Sequence, residues 1–362
     1  MFSGVKTKYK TLGYDSTIDR YNSSSMLTAT EVTTVMTWAQ EAGMDTGFVT
    51  TARVTHATPA ALYAHSYTRY YECDRDNEGE DEAPPLQNAT RKDIAWQLIH
   101  DEPGSRAKVI LGGGYNAFVP KEQRMPMRDN IFEADEAFEC FREDGVNLID
   151  VWKGRHPEDG SKFVTTAGEL MSVEASETDY LFGMFSPDHV SYEDKRDPDL
   201  DPTLRNMTEK AIDILRKGDN GFFLMVEGAR IDHAHHDTTA NRAVRETVAL
   251  DLAFEAAVEM MSDELHETLF IVTSDHSHTL SFAGYPARGT DIRGLTGDLL
   301  DDDLPYTTLS YANGKGYHLH NVLEEADGGE VRNVTRLNLT QIPDERIKSF
   351  DFIQVSVSGA KS

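Results

Sequence analysis

Short apolar runs bounded by turn residues alternate along this chain with segments whose apolar positions recur at helical spacing. The runs Gly47–Val54, Lys108–Leu111, Asp179–Phe185, Gly221–Val226, Thr268–Thr273 and Tyr306–Ala312 predict strands buried on both faces. Between them, Thr30–Ala42 carries Val32, Val35, Met36 and Ala39 at helical spacing, and Arg91–His100 and Thr208–Arg216 read the same way. The longest helix is predicted from about Thr238 to Met261, where Val244, Val248, Leu252, Ala256 and Met260 stand four apart. The alternation predicts an α/β fold on a largely parallel sheet. A single such domain is expected over residues 1–354, with a polar surface loop around Asp74–Pro85 and a loose tail at Val355–Ser362.

Two of the runs end in groups that belong to chemistry rather than packing. Gly221–Val226 leads straight into Glu227 and Gly228, then into Asp232, His233, His235 and His236. Ending a buried strand in carboxylates and imidazoles is costly unless positive charge sits there. Asp232 and His236 are four apart, so a helix starting here sets both on one face, able to grip one cation. A solvated histidine-rich turn is the plainer alternative. Thr268–Thr273 repeats the pattern, with Asp275, His276 and His278 behind it. Doubly wound sheets bind ligands beyond the carboxyl ends of their strands. Two strand ends that each carry Asp and His suggest a two-metal site of oxygen and nitrogen donors, which suits zinc.

A third run, Gly47–Val54, delivers His56 and Thr58. Thr58 offers a hydroxyl to a hard cation such as magnesium, with Glu227 as its carboxylate partner. Taken alone, with Pro59 behind it, Thr58 reads as a helix N-cap. Arg69 beside a metal pair could hold two phosphate oxygens through its planar fork. Gly112–Gly114 follow a strand but lack the spacing and the lysine of a phosphate loop, so they read as a tight turn.

Composition narrows the partners. The chain has 362 residues, 39% of them hydrophobic, enough for one large core. A formal net charge of −27 disfavours nucleic acid and anionic membranes, which need a basic patch. It also repels phosphate at long range, so a phosphate substrate needs local cations. The first residues show no leader pattern, which alone points to the cytosol. Five Asn-x-Ser/Thr sequons, at Asn22, Asn88, Asn206, Asn333 and Asn338, point instead to a secreted glycoprotein. Cys73 and Cys140 could bridge or stay free.

Three blocks carry a family resemblance: TTARVTHATP at Thr50–Pro59, VEGARIDHAHH at Val226–His236 and TSDHSH at Thr273–His278. Ile110–Gly114 and Phe282–Gly289 support them. In order and spacing, from about Phe2 to Asn313, they resemble the animal alkaline phosphatases. The resemblance implies a three-layer α/β/α sandwich and hydrolysis of phosphate monoesters through a phosphoserine intermediate, with two zinc ions and one magnesium ion. Asp232 and His236 would bind the first zinc, Asp275 and His276 the second. Thr58 and Glu227 would bind magnesium, with His56 close by. Arg69 would clamp the phosphate, His233 would reach it through water, and His278 would stand behind the zinc pair. The family likeness further implies a homodimer that is secreted or held by a lipid anchor on the outer face of the plasma membrane.

Some positions depart from the family pattern. The nucleophilic serine is expected just upstream of Met1, as is an aspartate that bridges zinc and magnesium. The third ligand of the first zinc is expected in a block beyond the present C-terminal stretch. A calcium site matches at Phe185 and Asp201, with Ser186 where a glutamate is usual. Tyr21 stands where the family has a cysteine. These departures keep open a second reading, a fragment or pseudo-enzyme that retains the fold and part of the metal site.

Overall fold

The structure is a computed structural model that describes residues 1–75, 92–127, 139–317, 321–325 and 331–354. It divides into two compact units. The first comprises Met1–Ser191, Lys195–Gly228 and Leu250–Thr268; the second comprises Tyr192–Asp194, Ala229–Ala249 and Leu269–Ser362.

A parallel five-stranded sheet organises the first unit. Its strands are β1 (Asp45–Arg53), β2 (Val109–Gly113), β3 (Ser161–Val164), β4 (Tyr180–Met184) and β5 (Phe222–Glu227), in the order β3–β4–β2–β1–β5. Side chains alternate across a strand, and that splits the core in two. Phe48, Ile110, Phe182 and Met225 pack with Met36, Leu62, Leu98 and Trp152. Those partners come from α1 (Val35–Glu41), α2 (Ala57–Tyr63), α3 (Ile94–His100) and α4 (Leu148–Arg155). Val49, Leu111 and Leu181 pack with Leu170 and Ile214, from α5 (Ala167–Ser172) and α6 (Leu204–Leu215). The arrangement is the expected three-layer α/β/α sandwich.

Capping boxes fix three of the helix starts. Thr34, Thr166 and Thr203 each accept from the third backbone N–H of α1, α5 and α6, and Thr37, Glu169 and Asn206 reach back. Strands β1, β2, β4 and β5 overlap their predicted runs, as do α1, α3, α6 and α8 (Ala240–Met260). Strand β3, only four residues long, was not predicted.

Three expectations need correction. Residues 268–273 form no strand: Leu269, Ile271 and Val272 are 83%, 77% and 67% exposed. A short apolar run signals burial potential but cannot supply a backbone partner, and the sheet ends at β5. The run 306–312 splits into β8 (Pro305–Thr307) and β9 (Leu309–Tyr311), which join antiparallel pairs outside the parallel sheet. The N-cap of α2 is His56, not Thr58, which lies inside the first turn.

The second unit contains α7 (Arg230–His236), the first half of α8, and three antiparallel strand pairs. The pairs are β6 (Leu280–Phe282) with β9, β7 (Leu295–Leu299) with β8, and β10 (Asn321–Glu325) with β11 (Val331–Arg336). Small clusters hold it together, one of Ala240, Leu309 and Tyr311, another of Leu339, Ile347 and Phe352. Among the described residues no helix is long and apolar enough to cross a membrane. The expected tail at 355–362, the sequon at Asn88 and most of the predicted 74–85 loop lie outside the described residues.

Buried charges set local stability. Asp93 caps α3 and meets Arg142 at 2.7 Å, with both side chains 1% exposed. Burial pushes the Asp93 carboxyl up to about 6, although Arg142 pulls it down. Cys73 and Cys140, both buried, form a disulfide. Closing a loop of 67 residues stabilises by roughly 4 kcal/mol in the chain-entropy picture. Arg142→Met leaves Asp93 buried without its cation, and a loss of about 3–5 kcal/mol is expected in denaturant unfolding; a loss below about 1 kcal/mol would refute this. In the second unit Glu246 accepts the Glu193 N–H at 2.7 Å, and burial lifts its pKa from 4.5 to about 7. Its folded pKa is raised, so its stabilising share is full at acid pH and lost as pH rises towards 7. Glu246→Gln keeps the acceptor oxygen, so it is expected to flatten the pH-stability curve between pH 4.5 and 7; an unchanged slope contradicts this.

Candidate functional site

Parallel strands put all their carboxyl ends on one edge of the sheet, and the first unit gathers polar groups there. Thr50 of β1 lies in register with Glu227, the last residue of β5, and donates to its carboxylate at 2.6 Å. Thr58 sits half-buried in the first turn of α2. His56, at the head of the same helix, brings its Nε2 within 3.1 Å of Arg69 Nη2. The His56 ring also meets His189 edge-on, with 5.2 Å between centroids.

Behind His56 lies a buried ionic network. The Arg53 guanidinium binds Glu72 through two nitrogens, at 2.6 and 2.8 Å, and reaches Asp188 at 2.7 Å. Thr55 donates to Glu72 at 2.6 Å, and the Arg53 backbone N–H donates to His189 Nδ1 at 3.1 Å. Burial pushes the Asp188 carboxyl up despite Arg53 beside it, while Glu72 and Asp188 keep the guanidinium charged. Arg53 thus fastens the end of β1 to the loop that follows β4. That loop runs so close to β2 that a Cβ on Gly113 would collide with the Asp188 carbonyl. Gly114 next to it takes φ +94°, the tight turn expected there. Phe185, Ser186 and Asp201, considered for calcium, are all buried; Asp201 accepts the Asp197 N–H at 3.3 Å.

The second unit gathers the carboxylates and imidazoles considered for zinc. Helix α7 does set Asp232 and His236 on one face, with Oδ2 and Nε2 3.4 Å apart. His276 Nε2 is 3.6 Å from Asp232 Oδ1 and 3.3 Å from Asp275 Oδ2. His278 Nε2 donates to Asp232 Oδ1 at 2.6 Å. Asp232, His236, Asp275 and His276 therefore stand in one chain of short contacts. Because 268–273 is not a strand, Asp275–His278 arrive on a loop that enters β6 rather than leaves a strand. His233 turns to Arg230, whose Nη1 lies 3.0 Å from its Nδ1.

This group has the donor chemistry of a divalent-cation site. The ligand atoms of Asp232, His276 and His278 all lie within 4.8 Å of one another. One carboxylate with several imidazoles is a zinc-type donor set. Burial would raise the Asp232 pKa, but the His278 hydrogen bond and the imidazoles of His236 and His233 hold it down, at about 2. The carboxylate is therefore ionised at any working pH, as a ligand must be. Burial and the neighbouring His278 push His235 down to about 4.

Several residues of these clusters went unnoticed in the sequence. Thr50 stands within a block already singled out, yet no spacing marks it as the partner of Glu227. Asp188 and His189 follow β4 and repeat the strand-then-Asp-His pattern seen elsewhere, so a signal existed. Tyr311, bonded through its hydroxyl to His235 Nδ1 at 2.7 Å, carried none.

Comparison with known proteins bears on the whole chain. A family model described as alkaline phosphatase matches residues 1–343. Human tissue-nonspecific alkaline phosphatase is 40% identical over 338 residues, covering 92% of this chain and 60% of that protein. Alkaline phosphatase 4 of Drosophila melanogaster is 42% identical over 325 residues, covering 88% and 52%. The chain thus spans about 60% or less of the length of these two relatives. Among solved structures, the cold-active alkaline phosphatase of a psychrophilic Shewanella superposes with a TM-score of 0.54 at 26% identity, covering 80% of this chain and 54% of that one. The match to the family model is nearly end to end, and the chain belongs to the alkaline phosphatase family.

Proposed function

We propose that this chain carries the metal- and phosphate-binding part of a phosphate monoester hydrolase that works through a phosphoserine. The observation that carries this reading is Asp232, an ionised carboxylate with His236, His276 and His278 within 3.6 Å of its oxygens. In this reading Asp232 and His236 hold one zinc ion and Asp275 and His276 a second. Thr58 and Glu227 hold magnesium, and Thr50 orients the Glu227 carboxylate. Bound divalent cations supply positive charge and Lewis acidity for phosphoryl transfer. Such local charge is needed, because the chain's −27 net charge opposes an incoming phosphate.

Arg69 is the phosphate clamp in this proposal, with His233 and His56 as further contacts. Its guanidinium is steadied by His56, which favours a fixed two-point grip. No residue among these 362 is assigned as the phosphoryl acceptor. Export and glycosylation belong to the same reading, supported by the sequons and by the Cys73–Cys140 disulfide. The homodimer and the lipid anchor rest on family membership alone.

Calorimetry of inorganic phosphate binding to the zinc- and magnesium-loaded protein tests the assignment. Arg69→Ala is expected to weaken phosphate by roughly tenfold or more and to leave zinc affinity unchanged; undiminished phosphate affinity removes Arg69 from the site. Asp232→Ala is expected to lose one of the two zinc ions and to weaken phosphate with it. Supplied with a serine-bearing Asp-Ser segment of the kind the family resemblance implies, the loaded chain should hydrolyse a chromogenic phosphate ester at alkaline pH. Full zinc occupancy without hydrolysis would leave a binding protein rather than an enzyme.

A further inference from the structure

We infer that Tyr311 is a positioning residue for the Asp232 cluster, acting through His235 and His278; this rests on the reading of that cluster as a cation site. Tyr311 is 1% exposed, and its hydroxyl lies 2.7 Å from His235 Nδ1. A buried phenol must place its hydrogen on an acceptor. Tyr311 therefore donates to Nδ1, and the His235 tautomer carries its proton on Nε2. The His235 ring stacks on His278, with 4.9 Å between centroids and 29° between planes. His278 in turn donates to Asp232 Oδ1. Three rings thus stand in a row behind one carboxylate oxygen.

The backbone closes the same circuit. Leu280, two residues after His278, pairs with Tyr311 in the β6–β9 ladder. Ala312 N–H donates to the Thr279 carbonyl at 3.1 Å, and Thr279 Oγ1 donates to Asn313 at 2.6 Å. The strand that carries Tyr311 therefore also holds the loop that carries His278, while the Tyr311 hydroxyl holds α7, which carries Asp232 and His235. Both arms of the cluster are fixed to one strand, β9. A merely structural tyrosine would need only its ring, which packs with Ala240 and Leu309; the hydroxyl has the separate task of aiming His235 at His278.

Tyr311→Phe removes that oxygen and keeps the ring. The readouts are zinc affinity by competition with a chromophoric chelator and the visible spectrum of the cobalt(II)-loaded chain. Zinc affinity is expected to fall by roughly tenfold or more, as for loss of a residue that orients a metal ligand, and the cobalt spectrum is expected to change. His235→Asn gives a second route should the phenylalanine variant fold poorly: its carbonyl still accepts from Tyr311 but no ring backs His278, and the same loss is expected. Asp232→Ala serves as the reference. If Asp232→Ala removes one zinc while both other variants stay within twofold of the unaltered chain, the role of Tyr311 is overturned and the cation site stands. If the unaltered chain binds no zinc, or Asp232→Ala binds it undiminished, both fall.

Discussion

A carboxylate gathered among imidazoles governs the chemistry of this chain. Asp232 sits partly buried, where an isolated charge is unfavourable, yet its pKa is held at about 2. The ionised form is stabilised by the proton of His278 and by the imidazoles around it. Once that charge is fixed, the neighbouring groups acquire a purpose: a carboxylate and several imidazole nitrogens converging within a few ångströms offer a divalent cation a ready set of donors. In a chain with a net charge of −27, such a cation also offsets the field that would turn a phosphate away.

The first unit solves a parallel problem by internal pairing. Arg53, Glu72 and Asp188 are all buried or nearly so, and each finds its opposite charge within the protein. Breaking one member would strand the others. The network therefore ties β1 to the segment after β4 with a fixed geometry, and His189 and His56 take their places from it. Glu227 accepts a hydrogen bond from the hydroxyl of Thr50, a contact that orients its carboxylate.

Much of this was legible in the sequence. The sheet's inner strands read clearly because burial on both faces leaves unbroken apolar runs, as at β1 and β2. The i,i+4 spacing of Asp232 and His236 foretold their shared face, since helical geometry leaves little freedom there. Thr268–Thr273 misled because hydrophobicity identifies a segment that could be buried but not the strand that would pair with it. Strand β3 was too short to stand out. Thr50 and Tyr311 escaped because each acts across long sequence separations, Thr50 on Glu227 and Tyr311 on His235, and nothing local advertises such a hydroxyl. Asp188 and His189 could have been found by asking of every strand the question asked of two.

Anomalous diffraction at the zinc absorption edge, from crystals of the zinc-loaded protein, is the most direct examination of the cation site. Two peaks are expected, bonded at roughly 2.0–2.2 Å to Asp232 with His236 and to Asp275 with His276. Zinc held only at other residues, or no ordered zinc at all, would contradict the assignment of these four side chains.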